Sequence, residues 1–229
     1  RLPEAQGLYN PENEHDNCGI GFVAHIKGKP SHDIVKRGLE VLRNMDHRGA
    51  TSADNSTGDG AGILLQIPHE FNKDVLKLNV GIKGKYGTGL VFLPKEELEA
   101  NSCVDILTKN IEAEGLTLLG FRDVPVDASA PGEIARTTEP TIKQVFIKAP
   151  HLERDDLERK LYIVRKLAEK EVRESNLEHK EAFYQPSLST KTIIYKGMLT
   201  PDQLRDYFID FKSEKFKSAI ALVHSRFST

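Results

Sequence analysis

The sequence is poor in cysteine, in excess positive charge and in long apolar runs. Two cysteines in 229 residues are too few for a disulfide framework or a cysteine-based metal site. The formal net charge of −2 lacks the basic excess usual for a nucleic-acid-binding surface, and it argues against that partner. No apolar segment approaches the ~18 residues that cross a bilayer, so we expect no membrane-spanning helix.

The N-terminal stretch lacks the features of a secretory signal. Residues 1–17 are polar and acidic, without an apolar core. We therefore expect a cytoplasmic protein, or an organellar one if the source is a plant. The sequence also lacks internal repeats, low-complexity tracts and long linkers, and its length allows a sizeable core.

Strand and helix patterns are both present, but they do not alternate as regular βαβ units. Buried strands are indicated at residues 19–26, 63–67, 89–93, 116–121, 144–147, 191–195 and 219–223. Helices are indicated after the N-cap Ser31, at 69–78, from 94 to about 115, at 152–175 and from Pro201. Because several strands follow one another, we expect antiparallel sheets with helices packed outside them, which is an α+β fold.

The two cysteines lie in different surroundings. Cys103 sits among apolar residues in a helical pattern, which predicts a small buried hydrophobe. Cys18 opens a predicted strand in Asp16-Asn17-Cys18-Gly19-Ile20-Gly21-Phe22, where glycines let other groups approach closely. A nucleophilic cysteine needs a base, which could be a nearby histidine or the α-amine of pKa ~8 that cleavage before Cys18 would free. A structural cysteine remains the alternative.

A glycine-rich segment joins a predicted helix to the next strand. It contains Asp46-His47-Arg48-Gly49-Ala50 and, further on, Thr57-Gly58-Asp59-Gly60-Ala61-Gly62-Ile63. The glycines permit tight turns that bring backbone amides close to a bound group. A dinucleotide fingerprint is excluded, because that motif follows a strand and opens a helix, and its glycine spacing differs. A ligand-free tight loop is the alternative.

The third notable segment is His224-Ser225-Arg226-Phe227-Ser228-Thr229, which continues the last predicted strand. An arginine at a strand end can hold a carboxylate through two parallel hydrogen bonds. A surface arginine in an ordinary ion pair is the alternative interpretation.

Together and in this order, the three segments resemble the class II glutamine amidotransferases of the N-terminal-nucleophile superfamily, and most closely the glutamate synthase family. The resemblance rests on the CGxGF start, on DHRGA followed by TGDGAGI and the strand end Gln66-Ile67-Pro68, and on HSRFST. It covers essentially the whole chain. It implies a four-layer αββα sandwich of the N-terminal-nucleophile hydrolase type, incomplete at the C-terminus of this chain.

The resemblance also implies an activity, the hydrolysis of L-glutamine to glutamate and ammonia. Cys18 matches the nucleophile that forms a glutamyl thioester, and Arg48 and Gly49 match the pair that shapes the site around it. Arg226 matches the arginine that binds the substrate's α-carboxylate. The substrate-binding residues implied in this way are Arg226, Ser228 and Thr229. No metal site is implied.

In that family the ammonia passes to 2-oxoglutarate in a later part of the polypeptide. FMN and an iron–sulfur cluster belong to that part, so we expect no cofactor in this chain. The expected partners are L-glutamine, the remainder of a glutamate synthase large subunit, and either a small NAD(P)H-oxidising subunit or ferredoxin. We expect neither nucleic acid nor a membrane as a partner.

Two departures from the family pattern qualify these expectations. Residues 1–17 precede the nucleophile and resemble the family's propeptide, so we expect a leader followed by the amidotransferase domain at 18–229. The chain also ends before the family's Asn-Gly oxyanion element, so we expect it to be inactive alone. A non-catalytic binding or assembly module derived from the same family is the alternative. A redox-sensor role for Cys18 is disfavoured, because no resolving cysteine lies beside it.

Overall fold

The computed structural model describes residues 4–7, 19–46, 49, 51, 54, 56–76 and 80–226. The strands are β1 (Gly19–Ala24), β2 (Ala61–Gln66), β3 (Tyr86–Leu93), β4 (Thr117–Asp123), β5 (Thr141–Lys148), β6 (Thr192–Gly197) and β7 (Ile220–Ser225). The α-helices are α1 (His32–Asn44), α2 (His69–Leu76), α3 (Glu97–Ala113), α4 (Glu133–Thr137), α5 (Arg154–Glu174) and α6 (Pro201–Tyr207). Short 3₁₀ turns occur at Lys180–Ala182 and Ile209–Lys212. Each predicted strand and helix has a counterpart, most with ends shifted by a few residues, whereas α4 was not predicted. Residues 77 and 78 of the predicted second helix lie outside the described ranges.

Local capping explains where two of the helices begin. The Ser31 hydroxyl accepts a hydrogen bond from the Ile34 N–H at 3.3 Å, which confirms the predicted N-cap of α1. Thr200 and Gln203 form a reciprocal capping box around Pro201, the first residue of α6. Both starts are therefore determined by residues within one helical turn.

The first sheet has four antiparallel strands in the order β1-β7-β2-β6. Helix α1 packs closely against it because small residues face the contact. A Cβ placed on Gly38 would lie 2.5 Å from the Ala221 Cβ, and one placed on Gly21 would lie 2.6 Å from the Val41 Cγ1. These glycines let the helix approach β1 and β7 more closely than larger residues would allow.

The second sheet has three antiparallel strands in the order β3-β5-β4, and α3 and α5 cover one face. Cys103 on α3 is fully buried there, as predicted, and burial raises the pKa of its thiol to about 11. The buried stripe of α5 consists of Leu157, Leu161, Val164, Ala168 and Val172, whereas the apolar Leu167 is 40% exposed. The helix turns Leu167 away because its contact with the sheet lies on the Ala168 side.

The other face of the three-stranded sheet joins a core shared with the four-stranded sheet, α1 and α6. A buried ion pair crosses this core, where Arg122 on β4 donates through both terminal nitrogens to the Asp210 carboxylate. Tyr195 on β6 donates to the same carboxylate at 2.7 Å. The two antiparallel sheets and their helices confirm the α+β class and agree with a sandwich architecture. Within the described ranges, no helix is long and apolar enough to cross a membrane.

Candidate active site

Sheet register brings the three predicted segments together at one end of the four-stranded sheet. Ser225, the last residue of β7, pairs with Gly19 of β1 on one side and with Ala61 of β2 on the other. Gly19 directly follows Cys18, Ala61 directly follows the glycine-rich loop, and Arg226 directly follows Ser225. Gly19 and Ser225, which are 206 positions apart in the sequence, are therefore neighbours in the sheet.

Several predicted site residues lie outside the described ranges. These are Cys18, Arg48, Ser228 and Thr229, together with most of the predicted leader at residues 1–17. Their roles remain predictions. Of the predicted site residues, the structure describes Gly49 and Arg226, and both lie at this end of the sheet.

The glycine-rich loop before β2 is tied to α4 by one aspartate. The Asp54 carboxylate accepts hydrogen bonds from the Thr57 hydroxyl at 2.6 Å and from the Thr57 N–H at 2.8 Å. It also accepts from the N–H of Ile134, in the first turn of α4, at 3.2 Å. The hydrogen bond from the Thr57 hydroxyl, together with those from the backbone N–H groups, holds the pKa of Asp54 well below its usual range. Asp54 thus stays ionised and fixes the loop to α4.

The same loop is also packed against the start of α6. The Gln203 side-chain amide donates to the Ser56 carbonyl at 2.7 Å. A Cβ on Gly58 would overlap the backbone between Leu199 and Thr200, so glycine is required at this close approach. The described part of the loop from Ser56 to Gly58 therefore contacts α4 on one side and α6 on the other.

Arg226 leaves β7 in an unusual backbone conformation. Its φ of 75° makes it the one non-glycine residue with positive φ in the described part of the chain. Its N–H donates to the Gly60 carbonyl at 2.7 Å. Its Nε lies 3.3 Å from the Asp59 Oδ2, and the arginine side chain is 24% exposed. Non-glycine residues held in this region are strained and cluster at functional sites.

A cavity of about 180 Å³ opens at this end of the sheet. Its walls come from the end of α1, the glycine-rich loop, the start of α6 and the end of β7; they are Asp46, Gly49, Thr51, Asp59, Gly60, Leu199, Thr200, Pro201 and Ser225. The buried Ser225 hydroxyl has no hydrogen-bond partner within the described residues. A Cβ on Gly49 would lie 3.2 Å from that hydroxyl, so the predicted Gly49 lies directly beside the end of β7.

His224 occupies the opposite face of the same strand. It pairs with Gly62 across the β2–β7 ladder, and a Cβ on Gly62 would overlap its imidazole ring. Burial lowers the pKa of His224, so the neutral form of the ring is favoured. Gly62, the last glycine of TGDGAGI, therefore makes room for His224 of HSRFST.

One group of side chains in the described residues has the spacing of a cation site. It consists of Glu96, Glu99 and His179, in the helical layer over the three-stranded sheet. Both Glu99 oxygens already accept backbone hydrogen bonds, from the N–H of Glu178 at 2.8 Å and of His179 at 3.1 Å. These bonds tie α3 to the segment after α5, which is a structural role.

Asp54 and Asp59 were not identified from the sequence as functional residues. TGDGAGI contains Asp59, but nothing local in the sequence indicates that this aspartate contacts Arg226, which lies 167 positions later. Asp54 follows no motif, and its contact with α4 depends on long-range packing. The only sequence signal for either residue is an acidic side chain within a glycine-rich loop.

The chain is similar along its whole length to one protein family and to several named proteins. A profile of the class-II glutamine amidotransferases matches residues 18–229. The chain is 48% identical over its whole length to the glutamate synthase [NADPH] large chain of Bacillus subtilis, of which it covers 15%. It is 43% identical over its whole length to glutamate synthase [NADH] of Saccharomyces cerevisiae, covering 11% of that protein. It is 40% identical, over 95% of its length, to the chloroplastic ferredoxin-dependent glutamate synthase of Oryza sativa subsp. japonica, covering 14% of it.

Proposed function

Since the chain belongs to the class-II glutamine amidotransferases, we propose that it supplies the glutamine-hydrolysing site of a glutamate synthase large chain. The observation that carries this proposal is that Ser225, which precedes Arg226, pairs with Gly19, which follows Cys18, beside a cavity that Gly49 and Ser225 line. The names of the three relatives support it, although the chain spans only about one seventh of the first relative's length.

In the proposed reaction, the Cys18 sulfur attacks the side-chain amide carbon of L-glutamine. The C–N bond then breaks, the nitrogen takes up the thiol proton, and ammonia leaves behind a glutamyl thioester. Water attacks this thioester, which releases glutamate and restores the thiol. Arg226 pairs with the substrate's α-carboxylate, Arg48 and Gly49 shape the site around the nucleophile, and Ser228 and Thr229 line the same pocket.

We further propose that residues 1–17 are a leader whose removal exposes the α-amine of Cys18. An α-amine with a pKa near ~8 is the base that this type of nucleophile uses. The family match begins at Cys18, which supports this boundary. With the Asn17–Cys18 bond intact, the amine is an amide and Cys18 should be a poor nucleophile.

The remaining steps are assigned to polypeptide beyond this domain. We propose that the ammonia reaches 2-oxoglutarate there, with FMN and an iron–sulfur cluster. The residues of this chain do not fit such a cluster, because the chain has only two cysteines and one of them, Cys103, is fully buried. The relatives' names give NADPH, NADH and ferredoxin, so either a small NAD(P)H-oxidising subunit or ferredoxin is the proposed electron source.

The proposed location is the cytoplasm, or an organelle if the source is a plant; the name of the rice relative gives a chloroplastic location for that protein. No observation favours the non-catalytic alternative.

The test is a glutaminase assay on the natural full-length polypeptide. Cys18→Ala should reduce glutamine hydrolysis by about 10⁴-fold or more, as loss of a covalent nucleophile does in other hydrolases. Cys103→Ala is the matched control, because that buried thiol lies in the other sheet's helical layer, and it should remain active. Retention of full activity by Cys18→Ala would contradict the proposal.

A further inference from the structure

The Asp59–Arg226 pair joins two of the segments that build the candidate site. The Asp59 Oδ2 lies 3.3 Å from the Arg226 Nε, and the two side chains are 33% and 24% exposed. Asp59 also lines the 180 Å³ cavity. Arg226 follows Ser225, which lines the same cavity, so the pair lies next to the cavity and not on an unrelated surface.

Both partners of this pair are held by their backbones. Arg226 has a φ of 75° and its N–H is bound by the Gly60 carbonyl, the residue next to Asp59. Asp59 belongs to the loop that Asp54 ties to α4 and Gln203 ties to α6. A strained residue persists only where the surroundings determine its conformation, and here they fix the direction in which its side chain leaves the strand.

An ordinary ion pair of the same chemistry occurs on α1 and provides a contrast. The Arg37 Nε lies 2.7 Å from the Asp33 Oδ2, but both side chains are 63% exposed. Neither residue belongs to a strained or anchored segment. Such solvated pairs contribute little and place no group accurately.

A contact at Nε fixes the orientation of a guanidinium. The group is planar and recognises carboxylates through a rigid arrangement of donors, so orienting its plane determines where a carboxylate can bind. We infer that Asp59 is a positioning residue: it orients Arg226 so that the arginine receives the α-carboxylate of glutamine. This inference rests on the proposed function and adds a residue to it.

The test is a double-mutant cycle in the natural full-length polypeptide, with glutamine hydrolysis measured at several glutamine concentrations. Asp59→Asn should raise KM about tenfold and change kcat by less than about threefold, because the lost contact acts on binding. In an Arg226→Ala background, Asp59→Asn should change KM by less than about twofold, because its target is then absent.

The control is Asp33→Asn, which removes the matched Nε–carboxylate pair on α1 and should leave both constants unchanged. Equal effects of Asp59→Asn in the wild-type and Arg226→Ala backgrounds would overturn the inference, as would a loss confined to kcat. A wild-type polypeptide that hydrolyses no glutamine would overturn the proposed function itself, and the two failures are thereby distinguished.

Discussion

The two sheets of this protein differ in how completely they are covered. All eight residues of β3, in the three-stranded sheet, are buried. In the four-stranded sheet, Ile20 and Phe22 on β1 are 70% and 69% exposed, and Leu222 beside them on β7 is 39% exposed. Strand β3 is therefore enclosed in apolar core, whereas the described residues leave these three side chains of β1 and β7 exposed. Ser225, which lines the candidate cavity, alternates with Leu222 and belongs to the other face of β7, towards α1.

Two arginines show the same difference at the level of single residues. Arg122 is 10% exposed and is held by Asp210 in the core. Arg226 is more exposed and strained, and its partner Asp59 lines a cavity. Both arginines are paired with aspartate, so pairing alone does not distinguish them. Burial, backbone strain and the neighbouring cavity do, and the proposed binding role of Arg226 rests on these three differences.

The largest expected effect separates these two arginines. Arg226→Ala should lower kcat/KM for glutamine on the order of 100-fold, equivalent to about 3 kcal/mol, because the substrate carboxylate loses its partner. Amide hydrogen exchange in β4 and β5 should not change. Arg122→Ala should have the opposite pattern: it leaves the Asp210 carboxylate buried without its cation, which costs about 3–5 kcal/mol of local stability. Faster amide exchange in β4 and β5 for Arg226→Ala than for Arg122→Ala would contradict the structural role of Arg122.

A smaller effect is expected from a substitution at the close contact between α1 and the four-stranded sheet. Gly38→Ala places a methyl group 2.5 Å from the Ala221 Cβ, where neither backbone can yield easily. We expect a loss of about 1–3 kcal/mol, measured by hydrogen exchange in β7. Gly28→Ala is the control, since no atom lies within 4 Å of the added group, and its cost should come only from the positive φ. Equal effects in β7 would show that the close contact is unimportant.

The smallest expected effects are on the pH dependence of stability. They have opposite signs for His224 on β7 and for His179 beside α3. Burial lowers the pKa of His224 on β7, so the unfolded chain, with a value near 6.5, binds the proton more readily. Its contribution to stability is present above pH 6.5 and is lost as the pH falls below it. The hydrogen bond with Glu99 raises the pKa of His179, so its contribution is present below pH 6.5 and is lost as the pH rises through the folded value.

Hydrogen exchange at pH 5.5 and 7.5 separates these contributions. His224→Gln should reduce the acid sensitivity of β7, whereas His179→Gln should reduce the protection of α3 more at the lower pH than at the higher. A shift of the same sign for both variants would contradict the assignment.

The features that sequence predicted well are those determined locally. Ser31 and Pro201 mark helix starts because their capping bonds lie within one turn. Helix α4 was missed because five residues carry no period, and its first turn is held by Asp54 about 80 residues earlier. The contact of Asp59 with Arg226 was missed because it is also long-range: it depends on β7 lying next to β2 in the sheet. The motifs identified the segments of the site, but only the sheet order shows which side chains meet.

The most direct test of the central claim is covalent labelling of the natural full-length polypeptide with 6-diazo-5-oxo-norleucine, a glutamine analogue with an electrophilic carbon. Peptide mass mapping should find one adduct, on Cys18 at the start of a chain that lacks residues 1–17. Excess L-glutamine and the Arg226→Ala substitution should both slow its formation. An adduct on Cys103, or none on Cys18 in a polypeptide that still hydrolyses glutamine, would contradict the account.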